Sequence, residues 1–343
     1  MRLTSSSWER IGTVVLRRAW TIPAFIVMAV LATLLLPVIL FAVLIVDVVR
    51  YATRRLPFPV VRMALFGWWY LVSEVAALVA ILGVGLVTGF GLWRSAFISW
   101  TFGLQTWWAH QLFAGFVFLF GVKFEAEGEE HITPGPILLF MRHASLADVL
   151  LPNVLVTRRR GIRLRYVLKR ELLFAPAIDI AGNRLLNYFV IRGSGNAGEQ
   201  IDRVAALAEA LSPREGVIIY PEGTRFSDKK RTRVLGSLQR RDPALAERAQ
   251  RLAHTLPPQV GGPLALLDRR PETDVVFLAH VGLDGLAEVK DLYSGGLVGI
   301  TVKVEFWRVP HTEIPATREG RIDWLFTQWD RMDAWVGENK AAG

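Results

Sequence analysis

The sequence of 343 residues contains no cysteine. Disulfide bonds, cysteine-ligated metal sites and a thiol nucleophile are therefore excluded. The chain also lacks the Gly-x-Ser-x-Gly elbow of serine hydrolases and the phosphate loop of nucleoside triphosphatases, so neither class is favoured. Zinc-finger spacings, aromatic RNA-binding signatures, internal repeats and low-complexity tracts are absent as well. These absences remove several common enzyme classes and give no support to nucleic-acid binding.

Acidic residues are outnumbered by basic ones, 31 against 40, which gives a formal net charge of +9. Such a charge suits anionic partners, namely phospholipid surfaces, phosphorylated substrates or nucleic acid, and nucleic acid is the least favoured of these here. Apolar residues make up 52% of the chain and the mean hydropathy is +0.33, which is too high for an ordinary soluble enzyme. Because the excess lies at the front of the sequence, we expect membrane lipids around that part.

The first 122 residues are predicted to form a membrane region with two to three hydrophobic helices. The run from Pro23 to Val46 has no charged residue, and its length suffices to cross about 30 Å of hydrocarbon. A second apolar run, Ala64 to Trp93, is interrupted only by Glu74, which would be costly in a membrane unless it is paired. The third, Ala96 to Val122, is more polar and fits either an interfacial segment or a re-entrant pair with the second.

The segment between the first two apolar runs is basic, with four arginines within residues 50–62. Positive charge beside membrane helices favours the cytoplasmic side, and two further crossings would return the chain to that side. We therefore expect an integral membrane protein whose following domain lies on the cytoplasmic face, in the cell membrane if the source is bacterial.

Residues 123–320 have the sequence pattern of an α/β domain. Short apolar runs that read as strands alternate with helical patterns such as Glu199 to Leu211, which predicts a mixed sheet flanked by helices. Residues 299–307 alternate apolar and polar side chains, as a half-buried strand should. The remaining segment, residues 321–343, is predicted to be an amphipathic helix and tail, with Leu325, Trp329, Met332 and Val336 on one packing face.

One polar motif, Arg142 to Asp148, follows the apolar run Ile137 to Met141. His143 is thereby placed at a strand-to-helix turn, where side chains point into a crevice. If Asp148 reaches back to the imidazole, it leaves the other ring nitrogen as a base and stabilises the imidazolium that forms. The alternative is a capping box, in which Ser145 and Asp148 only cap a helix and His143 has no role in chemistry.

A second motif, Pro221 to Arg225, follows the apolar strand Val217 to Tyr220. A His-x4-Asp pair with a downstream Glu-Gly-Thr-Arg after a strand resembles the glycerolipid acyltransferase family, whose best-known members are 1-acylglycerol-3-phosphate acyltransferases. Segments Leu256 to Gly262 and Trp324 to Trp335 are similar to the branch that contains lysocardiolipin and plant-type lysophosphatidate acyltransferases. The resemblance predicts an O-acyltransferase in an α/β fold.

The resemblance also implies a role for each matching residue. His143 is the expected catalytic base and Asp148 orients it. Arg225 is expected to hold the phosphate of the acceptor lipid, while Gly223 lets the backbone approach and Glu222 orients Arg225. Two further acceptor-binding positions are Thr224, within the same motif, and Arg192, which ends the strand-like block from Phe189.

The implied reaction moves a fatty acyl group from acyl-CoA or acyl carrier protein to a lysophospholipid. No cofactor and no metal are expected. The preferred acceptor is 1-acylglycerol-3-phosphate, which gives phosphatidic acid. Another lysophospholipid such as lysocardiolipin, a glycolipid, and a non-catalytic lipid-binding role are the alternatives.

The sequence departs from the family pattern at two places and contains one competing motif. Arg142 stands where many members have asparagine, and the fourth block, Val276 to His280, has no proline. Residues Gly193 to Gly198 spell the dinucleotide-binding pattern after a strand and before a helix. We favour a flexible connector over cofactor binding there, because the acidic residue that would complete the fingerprint, Glu222, already belongs to the second motif.

Overall fold

A computed structural model describes residues 11–145, 147–190, 197–284, 293 and 295–341. The chain forms two compact units. The first comprises Met1–Gly121, Arg165–Gly195 and Leu292–Val298, and the second comprises Val122–Leu164, Asn196–Asp291 and Gly299–Gly343. The described residues within 165–195 and 292–298, which were expected to belong to the α/β domain, therefore pack with the apolar front of the chain.

The first unit is built on three helices, α1 (Ile11–Arg54), α2 (Pro59–Val87) and α3 (Arg94–Phe120). Among the described helices, α1 and α2 are long and apolar enough to cross a membrane. Most large apolar side chains of α1 are exposed, because few protein neighbours cover them.

A further helix of this unit, α4 (Pro176–Arg184), is joined to α2 by a hydrogen bond and to α1 by ion pairs. Glu74 of α2 is fully buried, and its Oε1 accepts a hydrogen bond of 2.7 Å from the amide of Ala177, in the first turn of α4. Arg17 and Arg18 of α1 each form a 2.8 Å ion pair with the buried Asp179 of α4. The expectation that Glu74 needs a partner is thus met by a helix N-terminus, where the helix dipole favours negative charge.

The strands of the described residues confirm the predicted mixed sheet, in the order β1-β7-β6-β2-β5-β3-β4. Their bounds are β1 Lys123–Glu127, β2 Ile137–Met141, β3 Arg163–Lys169, β4 Tyr188–Val190, β5 Glu215–Ile219, β6 Asp274–Val281 and β7 Thr301–Val309. Strands β6 and β7 pair antiparallel, whereas β2 is parallel to both β5 and β6. Every residue of β2 is buried, as expected for a strand in the middle of a sheet with both faces covered. The predicted alternation in β7 is confirmed, because Val302, Val304 and Phe306 are buried.

The helices among the described residues of the second unit are α5 Ala197–Ala206, α6 Asp228–Arg241, α7 Pro243–Ala249, α8 Gly261–Arg269 and α9 Arg318–Ala341. The four apolar residues predicted to form the packing face of α9 are all buried. Asp333, also on α9, accepts backbone hydrogen bonds of 2.7–2.9 Å from Ala253, His254 and Thr255. Helix α9 is therefore a structural part of the α/β unit.

Candidate active site

Three parallel strands of the second unit, β5, β2 and β6, are in register near their carboxyl ends. Phe140 of β2 is in register with Ile219 of β5 and with Phe277 of β6. Three residues further along the chain from each of these lie Glu222 and His143, just beyond their strands, and His280, still within β6. Since ligands in open α/β sheets bind beyond the carboxyl ends of the strands, this edge is where the chain can assemble a reactive site.

The imidazole of His143 is bonded to Asp148, as the first motif predicts. Nδ1 of His143 lies 3.0 Å from Oδ2 of Asp148, whose side chain is fully buried while that of His143 remains 12% exposed. An ionised carboxylate only accepts hydrogen bonds, so Nδ1 carries the proton and Nε2 carries the lone pair of the neutral ring. The ring is thereby prepared to take up a proton at Nε2.

Asp148 also caps the backbone turn. The same side chain thus both bonds to His143 and acts as a cap, which were the two alternatives for this motif. Its Oδ2 accepts from the amides of Ala144 at 2.6 Å and Ser145 at 2.8 Å, and its Oδ1 accepts from Oγ of Ser145 at 2.6 Å. Burial alone raises the pKa of this carboxyl, but the neighbouring His280 and His143 rings lower the pKa well below its usual range. Asp148 is therefore ionised at neutral pH.

Glu222 braces the backbone around His143. Its Oε1 accepts from the amide of His143 at 3.0 Å and its Oε2 from the amide of Leu256 at 3.1 Å. Both oxygens of this buried side chain therefore hold the loops that carry His143 and Leu256. The expected role of orienting Arg225 stays a prediction. Burial raises the pKa of Glu222 to about 8, although Arg142 and the two amides act to lower it.

The turn after β5 brings the second motif beside the first. Gly223 has a φ of +65°, and a Cβ there would lie 2.5 Å from the side-chain nitrogen of Gln259, so the position requires glycine. Thr224 and Arg225 follow and are partly exposed. The amide of Phe226 then donates to the carbonyl of His143 at 3.0 Å, which places the backbone next to Arg225 alongside the base.

Two of the sequence-predicted features lie outside the described residues. Arg192 is one of them, and Gly193 to Asn196 of the dinucleotide-like pattern are the others. Within the described part of the chain, no group of three or more histidine, aspartate or glutamate side chains is arranged to hold a metal ion.

Arg142, the departure from the family pattern, is a fully buried cation. Its guanidinium pairs with Asp284 and donates to the carbonyl of His280 at 2.6 Å. Burial lowers the pKa of the guanidinium, but Asp284 more than offsets this, and the pKa is raised. Arg142 and Lys340 in turn bring the pKa of Asp284 to about 2 against the effect of burial. Sequence reasoning missed Asp284, because nothing in a linear motif indicates which distant carboxylate neutralises a buried arginine.

Two aromatic rings beside the base were also missed. Tyr220 packs its ring 4.7 Å from the His143 ring, centroid to centroid. His280 approaches Asp148 from the far side, with Nε2 lying 3.5 Å from Oδ1. The signal for His280 was present in the sequence, since it lies near the end of an apolar strand, but only the strand register shows that this strand neighbours β2.

Residues 123–258, which include both motifs, match the family model described as Acyltransferase. The chain carries an acyltransferase domain. The predicted resemblance to an acyltransferase is thus confirmed over these residues, which include His143, Asp148, Glu222 and Arg225. Among solved structures, the chain is similar to the 1-acyl-sn-glycerophosphate (LPA) acyltransferase PlsC from Thermotoga maritima, with 15% identity and a TM-score of 0.49 over 79% of this chain and 98% of that one. No curated protein matches the chain.

Proposed function

We propose that this acyltransferase is membrane-bound and moves a fatty acyl group from an acyl thioester to the free hydroxyl of a lysophospholipid. The observation that carries the proposal is the bond between His143 Nδ1 and Asp148 at the carboxyl edge of the sheet, inside an acyltransferase domain. The acceptor proposed first is 1-acylglycerol-3-phosphate, with phosphatidic acid as the product. Acyl-CoA and acyl carrier protein are the two donors to compare.

The mechanism needs no covalent enzyme intermediate. Nε2 of His143 removes the proton from the acceptor hydroxyl as the oxygen attacks the thioester carbonyl carbon, and Asp148 stabilises the imidazolium that results. The new ester forms as the carbon–sulfur bond breaks and the thiolate departs with the electron pair. Because the leaving thiol has a pKa of ~8.5, a strong general acid is unnecessary.

The acceptor phosphate is assigned to the second motif. The backbone on one side of Arg225 is bonded to the carbonyl of His143 through Phe226, which supports a position of the phosphate near the reacting hydroxyl. A guanidinium matches a phosphate through two parallel hydrogen bonds. We assign Arg225 and Arg192 to this role, with Thr224 beside them.

Polar contacts at both ends of α1 bear on how the protein meets the membrane. Near one end, Arg17 and Arg18 pair with Asp179. Near the other, Arg50 donates to the carbonyl of Tyr293 and its guanidinium carbon lies 3.6 Å from the centre of that ring. These two ends are about 50 Å apart along the helix, more than the roughly 30 Å thickness of the hydrocarbon layer.

These contacts favour a helix that lies in the membrane plane. Asp179 and Tyr293 both follow α3 in the chain, and no described helix after α3 is long and apolar enough to cross a membrane. The two residues therefore belong on one side, and both ends of α1 with them. We propose that α1 and α2 insert into one leaflet of the membrane on its cytoplasmic face, in place of the crossings that hydropathy alone suggests.

The test of the proposed function is acyl transfer by the purified protein to a panel of lysolipids. Labelled acyl-CoA and acyl carrier protein should each be offered against lysophosphatidic acid, lysocardiolipin, other lysophospholipids and a glycolipid acceptor. We expect transfer to lysophosphatidic acid, abolished in His143→Ala. Transfer only to another acceptor would keep the reaction and change the substrate, whereas no transfer to any acceptor would favour a non-catalytic lipid-binding protein.

A further inference from the structure

His280 lies on the opposite side of Asp148 from the base. We infer that it is a positioning residue for the His143–Asp148 pair, an inference that rests on the proposed function. Its Nε2 is 3.5 Å from Oδ1 of Asp148 and 3.3 Å from the carbonyl oxygen of Arg142. The His280 and Asp148 side chains are both fully buried, so water does not compete for this contact.

The surroundings of His280 fix its tautomer. Both oxygens that face Nε2, from Asp148 and Arg142, only accept hydrogen bonds, so Nε2 carries the proton. Nδ1 is buried and has no hydrogen-bond partner in the described residues. The neutral ring that donates from Nε2 is the form that fits this site.

The contact divides the two oxygens of Asp148 between two tasks. Oδ2 accepts from the His143 ring and from two backbone amides, while Oδ1 faces Ser145 Oγ and His280 Nε2. Donors on both oxygens hold the plane of the carboxylate, which keeps Oδ2 directed at Nδ1 of His143. A neutral donor does this without cancelling the negative charge that stabilises the His143 imidazolium.

The position of His280 is itself fixed from the neighbouring strand. Its carbonyl accepts from the guanidinium of Arg142 at 2.6 Å, while its ring faces the carbonyl of the same arginine. The amide of Arg142 also donates to Leu278 at 3.2 Å. Strand β6 is thus joined to the end of β2 immediately before the catalytic base, which makes His280 a support for the Asp148 carboxylate.

Two variants of the full-length protein test the inference. His280→Ala removes the donor, whereas His280→Gln keeps an N–H donor near the position of Nε2. We expect the alanine variant to lose about 10- to 150-fold in kcat, as for loss of a hydrogen bond to a charged group, with little change in KM for either substrate. The glutamine variant should recover most of that loss. His311→Ala, which removes an exposed histidine bonded to Asp274, is the matched control and should retain wild-type activity.

The pH dependence separates positioning from a purely structural role. Without the His280 donor, the charge of Asp148 acts more fully on His143, so the acidic limb of the kcat profile should move to higher pH in His280→Ala and return in His280→Gln. An alanine variant that loses thermal stability while keeping its kcat and its acidic limb would overturn the inference. So would a folded glutamine variant that recovers none of the lost activity.

A readout that needs no turnover separates this inference from the proposed function. Diethyl pyrocarbonate modifies neutral histidine, and peptide mass spectrometry can follow its reaction with His143 as a function of pH in wild type and His280→Ala. We expect the midpoint to lie at higher pH in the variant, whether or not any lysolipid is acylated. An unchanged midpoint would refute the role of His280 even if acyl transfer is found.

Discussion

The backbone amide of His143, and not its ring, donates the hydrogen bond of 3.0 Å to Glu222. The two motifs, 79 residues apart in sequence, are therefore joined through the main chain, whereas Asp148 bonds to the ring of His143. Conservative changes at Glu222 and Asp148 should consequently have different effects, the first on the stability of the loops and the second on turnover.

Asp148→Asn should remove most of the turnover while the protein stays folded. The amide keeps only one oxygen, so an NH₂ group replaces an acceptor at either the Oδ2 or the Oδ1 position. It also removes the negative charge that stabilises the His143 imidazolium. In serine proteases the equivalent change costs on the order of 10⁴ in kcat, and a loss of comparable size is expected here in steady-state assays.

Ser145→Ala is the matched control for Asp148→Asn. It removes the 2.6 Å bond to Oδ1 of Asp148 and the side chain that accepts from the amide of Ala147, but it keeps the bond between Asp148 and His143. We expect a modest loss of thermal stability and a kcat loss of at most about 150-fold, well short of the loss in Asp148→Asn. Similar kcat values for the two variants would show that Asp148 acts only as a cap.

Glu222→Gln should change how stability depends on pH. The pKa of Glu222 in the folded protein is about 8, above its ordinary value of 4.5, so folding favours the protonated form. The stabilising contribution of that form is complete below pH ~4.5 and is lost as the pH rises towards about 8. Wild type should therefore lose melting temperature between pH 5 and pH 8.5, and the uncharged glutamine variant should lose less.

Melting temperatures measured in detergent at the two pH values check this expectation. Glu130→Gln, at a side chain that is 77% exposed, should show the same pH dependence as wild type. The glutamine at 222 cannot accept from both amides, so that variant should be less stable than wild type at pH 5. An equal fall with pH in wild type and Glu222→Gln would contradict the assigned burial effect.

Sequence reasoning recovered what depends on local pattern. The alternation in β7, the apolar face of α9 and the pairing of His143 with Asp148 all follow from spacing along one segment. The contact of His280 with Asp148 and the Arg142–Asp284 pair could not be predicted, because they depend on which strands become neighbours in the sheet. The bond between Glu222 and the amide of Leu256 could not be predicted for the same reason, since Leu256 belongs to a loop 34 residues away.

Arg225→Lys keeps the positive charge and removes the planar guanidinium group. If Arg225 holds the acceptor phosphate through two parallel hydrogen bonds, lysine supplies only a point charge. Losing a charge-assisted bond of roughly 1.5–3 kcal/mol should weaken kcat/KM for phosphorylated acceptors about 10- to 150-fold, with little change in KM for the acyl donor. Kinetics with phosphorylated and unphosphorylated acceptors decide the matter.

Arg233→Lys, on the exposed side of α6, is the matched control for Arg225→Lys and should behave as wild type with both acceptor types. Equal losses in the Arg225 variant towards phosphorylated and unphosphorylated acceptors would mean that this arginine supports the fold or the base. The assignment of the phosphate would then be wrong.

The orientation of α1 can be measured with single cysteines, because the chain has none of its own. Thr13→Cys and Thr53→Cys place a thiol at an exposed position near each end of α1. If the helix lies in one leaflet, a membrane-impermeant maleimide added to sealed vesicles should label both positions from the same side. Ala77→Cys, at a buried position, should react only after denaturation. Labelling of the two ends from opposite sides would show that α1 crosses the membrane.

Helix α9 follows all of the described strands, and its Asp333 accepts hydrogen bonds from the backbone amides of residues 253–255. During synthesis, those amides therefore gain their acceptor only after this helix has been made. The same holds for the ion pair between Lys340 and Asp284, which is the partner of Arg142. A chain that stops before α9 would contain His143, Asp148 and Arg225 in full. It would still lack Asp333, so the amides of residues 253–255 would have no acceptor. The His254 carbonyl, which accepts from the buried guanidinium of Arg142, would then be less firmly held.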